Sequence, residues 1–230
     1  MRMMNRTIAS SILGPMRSKK PDMRVTAALL HLKKADPVLY KAALPLKDHF
    51  VAGSTAQRRY SGQKLFSSLA ASVTGQQLST KAADTIWGRL VVACKGEVTP
   101  EAIQKLHLPS MRKAGLSAAK SKTLKELSKA VLSGALDLPA LRKIPEEEAI
   151  RKLSSVWGIG RWTAEMFLMF ALEREDVFSA GDLGLRRSME SMYALPKDAA
   201  VKELELIALK WSPHRTFASR VLWRVRDTKI

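Results

Sequence analysis

Two short stretches carry the groups that could do chemistry: "VWGIGRWTA" over 156–164 and "SAGDLGLRR" over 179–187. In the first, Gly158 and Gly160 flank Ile159 inside a run that otherwise looks helical, where each glycine costs about 1 kcal/mol relative to alanine. Glycines suit a tight turn between two helices, because they take positive φ and let another backbone come close. One helix is expected to end near Ser155 and a second to start at Gly160 or Arg161 and run through Glu173. The unpaired N–H groups and positive dipole end of that second helix would form an anion site. Ile159 would plug back between the two helices. The pattern taken alone also describes a plain αα-corner. Arg161-Trp162-Thr163-Ala164 directly after it, in a basic chain, favours a phosphate grip built from backbone.

In the second stretch, Asp182 follows a loop of small residues and precedes a helical run, which reads as a helix N-cap. Geometry adds another role. A second hairpin helix of about 13 residues is ~20 Å long, and the nine residues from Glu173 to Asp182 span up to ~30 Å if extended. The chain can therefore bring Asp182 back beside Trp162 and the gripped phosphate. A carboxylate there would repel phosphate unless it stabilised a cation.

The elements that must position these groups are helices. From about Arg24 onward nearly every apolar run has helical spacing, and period-2 alternation is scarce. Helix starts are expected at Thr99-Pro100-Glu101, at Ser117, at Pro145 before three glutamates, and at Ser212-Pro213; stops are expected at Gly96, Gly115 and Gly134. Roughly ten short helices and an all-α fold follow. The first 23 residues are set apart as a basic, disordered tail with no acid before Asp22.

Composition narrows the partners. Lys and Arg number 39 against 21 Asp and Glu, a formal charge of +18, which points to a polyanion with nucleic acid ahead of a membrane surface. Cys94 is the sole cysteine, so no internal disulfide and no cysteine-built zinc or iron–sulfur cluster can form. The four histidines (His31, His49, His107, His214) form no HxH or HxxxH pair. No run approaches a membrane span. The expected compartment is intracellular and reducing: cytoplasm or nucleoid in a bacterium, nucleus in a eukaryote.

The stretch "LSSVWGIGRWTAEMFLMFALEREDVFSAGD" resembles the signature of the helix-hairpin-helix (HhH-GPD) DNA glycosylases, and "LFSSLAASVTGQQLSTKAADTIWGRL" (66–90) and "MRKAGLSAAKSKTLKELSKAV" (111–131) match the same family. The resemblance spans about residues 25–228 and is closest to the alkylpurine branch, 3-methyladenine DNA glycosylase II. It implies two helical subdomains with a DNA-binding cleft between them and no N-terminal β domain. The central subdomain would be 65–181, with the hairpin at 153–164; the other would combine 24–64 with 182–230.

The resemblance also implies roles. Asp182 would be the catalytic carboxylate, stabilising an oxocarbenium-like sugar and helping to place water. Trp162 and Trp223 would wall the base pocket, where an indole face attracts a cationic base by ~0.5–2 kcal/mol. DNA contacts would come from Gln76, Gln77 and Leu78, with Gln77 filling the space of the flipped nucleotide, and from Gly158, Ile159, Gly160, Arg161 and Thr163. Lys120 and Lys122 are further candidates for phosphate. Trp162 stands where bifunctional relatives carry a nucleophilic lysine, so no Schiff base and no lyase step is expected. No cofactor is required and no Fe–S cluster is expected, although a structural Na+ or K+ at the carbonyls of Ser154, Val156 and Ile159 is implied. The expected function is excision of alkylated purines from double-stranded DNA by a monomer that does not engage membranes. A glycosylase for deaminated or etheno bases and a non-catalytic DNA-binding module are the alternatives.

Overall fold

The computed structural model describes residues 23–50 and 62–228. The expected basic tail lies outside the described residues, Met23 excepted. Thirteen α-helices and two 3-10 turns occur among the described residues, with no strand. Short polar interruptions such as Asp36 and His107 begin new helices where the apolar pattern alone suggests continuation, which is why the helices exceed ten.

Contacts divide the described residues into two compact units, one of 62–173 and the other built from 23–50 and 174–228. The central unit contains α4 (Gly62–Gly75), α5 (Thr80–Ala93), α6 (Pro100–Lys105), α7 (Leu108–Ala114), α8 (Ala118–Leu132), α9 (Glu146–Ser154) and α10 (Arg161–Phe170). Its starts are set by local chemistry. Ser79, Thr99 and Ser117 have extended backbone, and each side chain accepts from the N–H three residues on. Gly115 ends α7 in the left-handed region, as its position in the sequence suggests. α4 buries Leu65, Phe66, Leu69, Ala70 and Val73, an i, i+1, i+4 stripe facing inward, and packs against α5, α8 and α10.

α10 is the most enclosed of these helices: Thr163 through Met169 are all buried. It stops at Phe170 rather than Glu173, because the chain turns off at Glu173, whose φ is +54°. A buried run that includes Glu165 needs a counter-charge, and Arg161 one turn earlier supplies it.

The terminal unit contains α1 (Met23–Ala35), α2 (Pro37–Ala43) and α3 (Lys47–Phe50), then α11 (Leu183–Met192), α12 (Val201–Leu209) and α13 (Arg215–Thr228). Its core gathers Leu32, Leu39, Met189, Leu204, Trp211, Val221 and Leu222. Asp36, buried under it, accepts from Leu39 N–H, Tyr193 hydroxyl and Trp211 Nε1 at 3.0, 2.6 and 2.8 Å. The last helix starts at Arg215 and not at Ser212-Pro213, because the Ser212 hydroxyl is turned to Asp176 instead of capping it.

Candidate nucleic-acid interface and carboxylate site

The central unit holds the hairpin. α9 ends at Ser154 and α10 begins at Arg161, with Gly160 as its N-cap in extended conformation. Gly160 has no side chain to cap the helix, and the first α10 bond runs from Ala164 N–H to Gly160 O at 3.0 Å. A Cβ at Gly160 would meet nothing within 4 Å, so a ligand can approach this backbone closely. Gly158 is constrained instead. Its φ is +84°, and an added Cβ would lie 2.0 Å from Thr123 Oγ1. Ile159 is buried and plugs the turn as expected, its N–H donating to Val156 O at 3.0 Å.

Several side chains expected to face DNA also make hydrogen bonds within this unit. Arg161 donates from Nε to Glu165 at 2.8 Å and from Nη1 to Glu147 at 2.9 Å. Its bond to Glu147 holds the guanidinium pKa above its ordinary value. Glu165 is buried and must be paired, and Arg161, whose side chain stays exposed, supplies that partner. Thr163 is buried too, and its Oγ1 accepts from Gln76 Nε2 at 3.1 Å. Gln76 Nε2 also approaches Gly158 O at 3.3 Å, so Gln76 ties its loop to the hairpin turn. Lys120 Nζ donates to Thr74 O and Gln76 O at 2.9 and 2.7 Å rather than pointing to solvent. Lys122 is exposed, with Nζ 4.4 Å from the centre of the Trp157 ring. Gln77 is exposed and left-handed, φ +57°; Leu78 and Trp162 are half-buried.

The terminal unit holds the carboxylate. Asp182 caps α11, and its Oδ1 accepts from Leu185 N–H at 2.8 Å and from Trp223 Nε1 at 2.9 Å. Asp182 is thus the N-cap that its position in the sequence suggests, and an indole N–H fixes its rotamer. Trp223 meets the carboxylate through its nitrogen, a contact the sequence did not suggest for a pocket wall. The loop leading to Asp182 is pinned to the start of α13. Asp176 binds Arg215 Nε at 2.7 Å, Thr216 N–H donates to Glu175 O at 3.0 Å, and Val177 N–H donates to Thr216 Oγ1 at 3.1 Å. Burial alone would raise the Asp176 carboxyl; bonds from Arg215 and Ser212 outweigh it and hold the group below the ordinary carboxylate value. Since Trp223 lies on α13 as well, one helix positions both the loop and the carboxylate.

Two neighbours of Asp182 were missed in the sequence. A Cβ at Gly184 would meet Arg226 Nη1 at 2.1 Å and Asp182 Oδ1 at 3.0 Å, so Gly184 makes room for a guanidinium close to the carboxylate. The "GDLGLRR" spacing shows a small residue two after the aspartate, but nothing local names Arg226 as the reason.

Comparison with known proteins identifies the family. Residues 70–214 match the family model described as HhH-GPD superfamily base excision DNA repair protein. The chain is 32% identical over 207 residues to DNA-3-methyladenine glycosylase 1 of Schizosaccharomyces pombe, covering 87% of each. Among solved structures, DNA-3-methyladenine glycosidase from Bacillus halodurans superposes with a TM-score of 0.73 at 30% identity, covering 94% of each chain. The S. pombe 3-methyladenine DNA glycosylase in complex with abasic DNA gives 0.72 at 31% identity, covering 87% of this chain and 97% of the other. With an all-helical fold, a glycine hairpin and an aspartate that caps the helix after it, this chain belongs to the HhH-GPD superfamily of base excision DNA repair proteins.

Proposed function

We propose that the protein is a monofunctional DNA glycosylase that flips alkylated purines, chiefly 3-methyladenine and 7-methylguanine, out of double-stranded DNA and hydrolyses the N-glycosidic bond without cutting the strand. Family membership supports the repair role, and relatives named for 3-methyladenine support the substrate class. The observation that carries the chemistry is Asp182, a carboxylate held by two N–H donors on one oxygen.

Excision requires the base to leave the stack and enter a pocket. A ring-alkylated purine is cationic and leaves readily, so no group is needed to protonate it. As the bond breaks, positive charge develops on the sugar, and a fixed carboxylate stabilises it without reorganising. Asp182 takes that role and helps to orient the attacking water. Trp162 offers an indole face to the cationic base. Its indole also replaces the amine that a lyase would need for a Schiff base. The uncapped start of α10 at Gly160 grips a phosphate through backbone N–H groups. The carbonyls of Ser154, Val156 and Ile159 are hard oxygen donors that suit a monovalent cation; Val156 O accepts one hydrogen bond and keeps a second lone pair. When bound, such an ion would add positive charge toward the phosphate.

The test is release of free methylpurine from methylated duplex. It should occur in the wild type and fall by about 100-fold or more in Asp182→Asn, while binding to an abasic duplex persists. Absence of release in the wild type would leave a non-catalytic DNA-binding module. Borohydride trapping on abasic DNA should give no covalent adduct, and an adduct would overturn the monofunctional reading. Competition among 3-methyladenine, hypoxanthine and ethenoadenine substrates separates alkylation repair from the deaminated or etheno alternative.

A further inference from the structure

Neighbouring side chains at the start of α8 touch both working loops of the central unit. Lys120 Nζ binds the carbonyls of Thr74 and Gln76 at 2.9 and 2.7 Å, at the end of α4, where a cation also meets the negative pole of the helix. Lys122 lies over the Trp157 ring, and Thr123 Oγ1 fills the space beside Gly158. Gln76 closes the frame, its amide reaching Gly158 O and Thr163 Oγ1. Burial lowers the Lys120 ammonium below its ordinary pKa.

Between these anchors stands Gln77, exposed, with φ +57°. A non-glycine residue is strained in that region and persists only where the surroundings over-determine it. The Gln76 carbonyl held by Lys120 belongs to the same peptide plane as the Gln77 nitrogen. Fixing that oxygen fixes the plane about which Gln77 is turned.

We propose that the first turns of α8 are a bracket, with Lys120 as a positioning residue that holds Gln77 in its left-handed conformation and in register with the hairpin turn. Insertion of Gln77 into the duplex and seating of the hairpin on a phosphate then occur as one movement of the central unit. The inference rests on the glycosylase reading above.

Lys120→Met and Lys120→Arg, each in the wild-type and Gln77→Ala backgrounds, test it. The readouts are single-turnover methylpurine release, fluorescence of 2-aminopurine opposite a tetrahydrofuran abasic analogue, and the affinity and salt slope for that duplex. Lys120→Met should slow release by between about 10- and 100-fold and reduce the fluorescence change, with the salt slope unaltered. Lys120→Arg should recover most of both. In the Gln77→Ala background, Lys120→Met should add less than about twofold, because it acts through Gln77.

A salt slope lowered by about one with release unchanged, the mark of a phosphate contact, would overturn the bracket, as would an equal loss in the Gln77→Ala background. Should Lys120→Met fail to fold, Gln76→Met removes the tie to the hairpin while leaving the carbonyl held. It should lower the fluorescence change likewise, and a wild-type signal would sink the proposal. If the wild type releases no methylpurine, the proposed function falls, and the fluorescence readout still decides the bracket.

Discussion

Asp182 Oδ1 carries two donors, one from its own helix and one from the indole of Trp223. The first bond is local and serves stability; the second fixes the orientation of the carboxylate to which we assign the chemistry. A hydrogen bond to a charged acceptor contributes about 1.5–3 kcal/mol. Trp223→Phe keeps an aromatic side chain, though a smaller one, and loses the N–H, so single-turnover release should fall by about 10-fold or more, with affinity for abasic duplex retained. An unchanged rate with poorer selection of cationic bases would return Trp223 to the role of pocket wall. Arg161, at the start of the second hairpin helix, pairs with the buried Glu165, because an interior carboxylate left unpaired is costly.

At the scale of elements, the hairpin depends on α8 as much as on its own two helices. Gly158 has a left-handed backbone and no space for a Cβ against Thr123. Gly158→Ala should destabilise the protein by about 2 kcal/mol or more, read as a drop in denaturant midpoint. Adding Thr123→Ala should restore part of the loss, since it removes Oγ1 but leaves the φ cost; no recovery would mean the clash is relieved by other movement. The loop that delivers Asp182 depends on Asp176 and Arg215. The Asp176 pKa is lowered in the folded state, so its contribution is present above the unfolded carboxylate value of about 3.9 and is lost as pH falls through the folded value. Asp176→Asn should therefore be less stable than wild type at neutral pH, with the gap closing below about pH 4. Denaturation midpoints across pH 2–7 would check this, and a gap that stays constant would remove the linkage.

At the scale of the whole molecule, +18 is a large charge for 230 residues, and it bears on binding more than on fold. Affinity for undamaged duplex should fall with salt on a log–log slope steeper than about −3, as expected for several phosphate contacts; a flat dependence would leave the charge to solvation. The helical class, the caps at Thr99, Ser117 and Asp182, the stop at Gly115, the glycine turn with Ile159 buried in it, and the family are all legible along the chain. These features depend on neighbours within about one helical turn, and such spacing is visible along a chain. The side-chain partners come from packing. Trp223 reaches Asp182 across 41 residues, Lys120 reaches Gln76 across 44, and Gln76 reaches Thr163 across 87. No local pattern encodes those meetings. Packing brings the backbones together, and desolvation then forces each enclosed donor and acceptor to find whatever partner lies within reach.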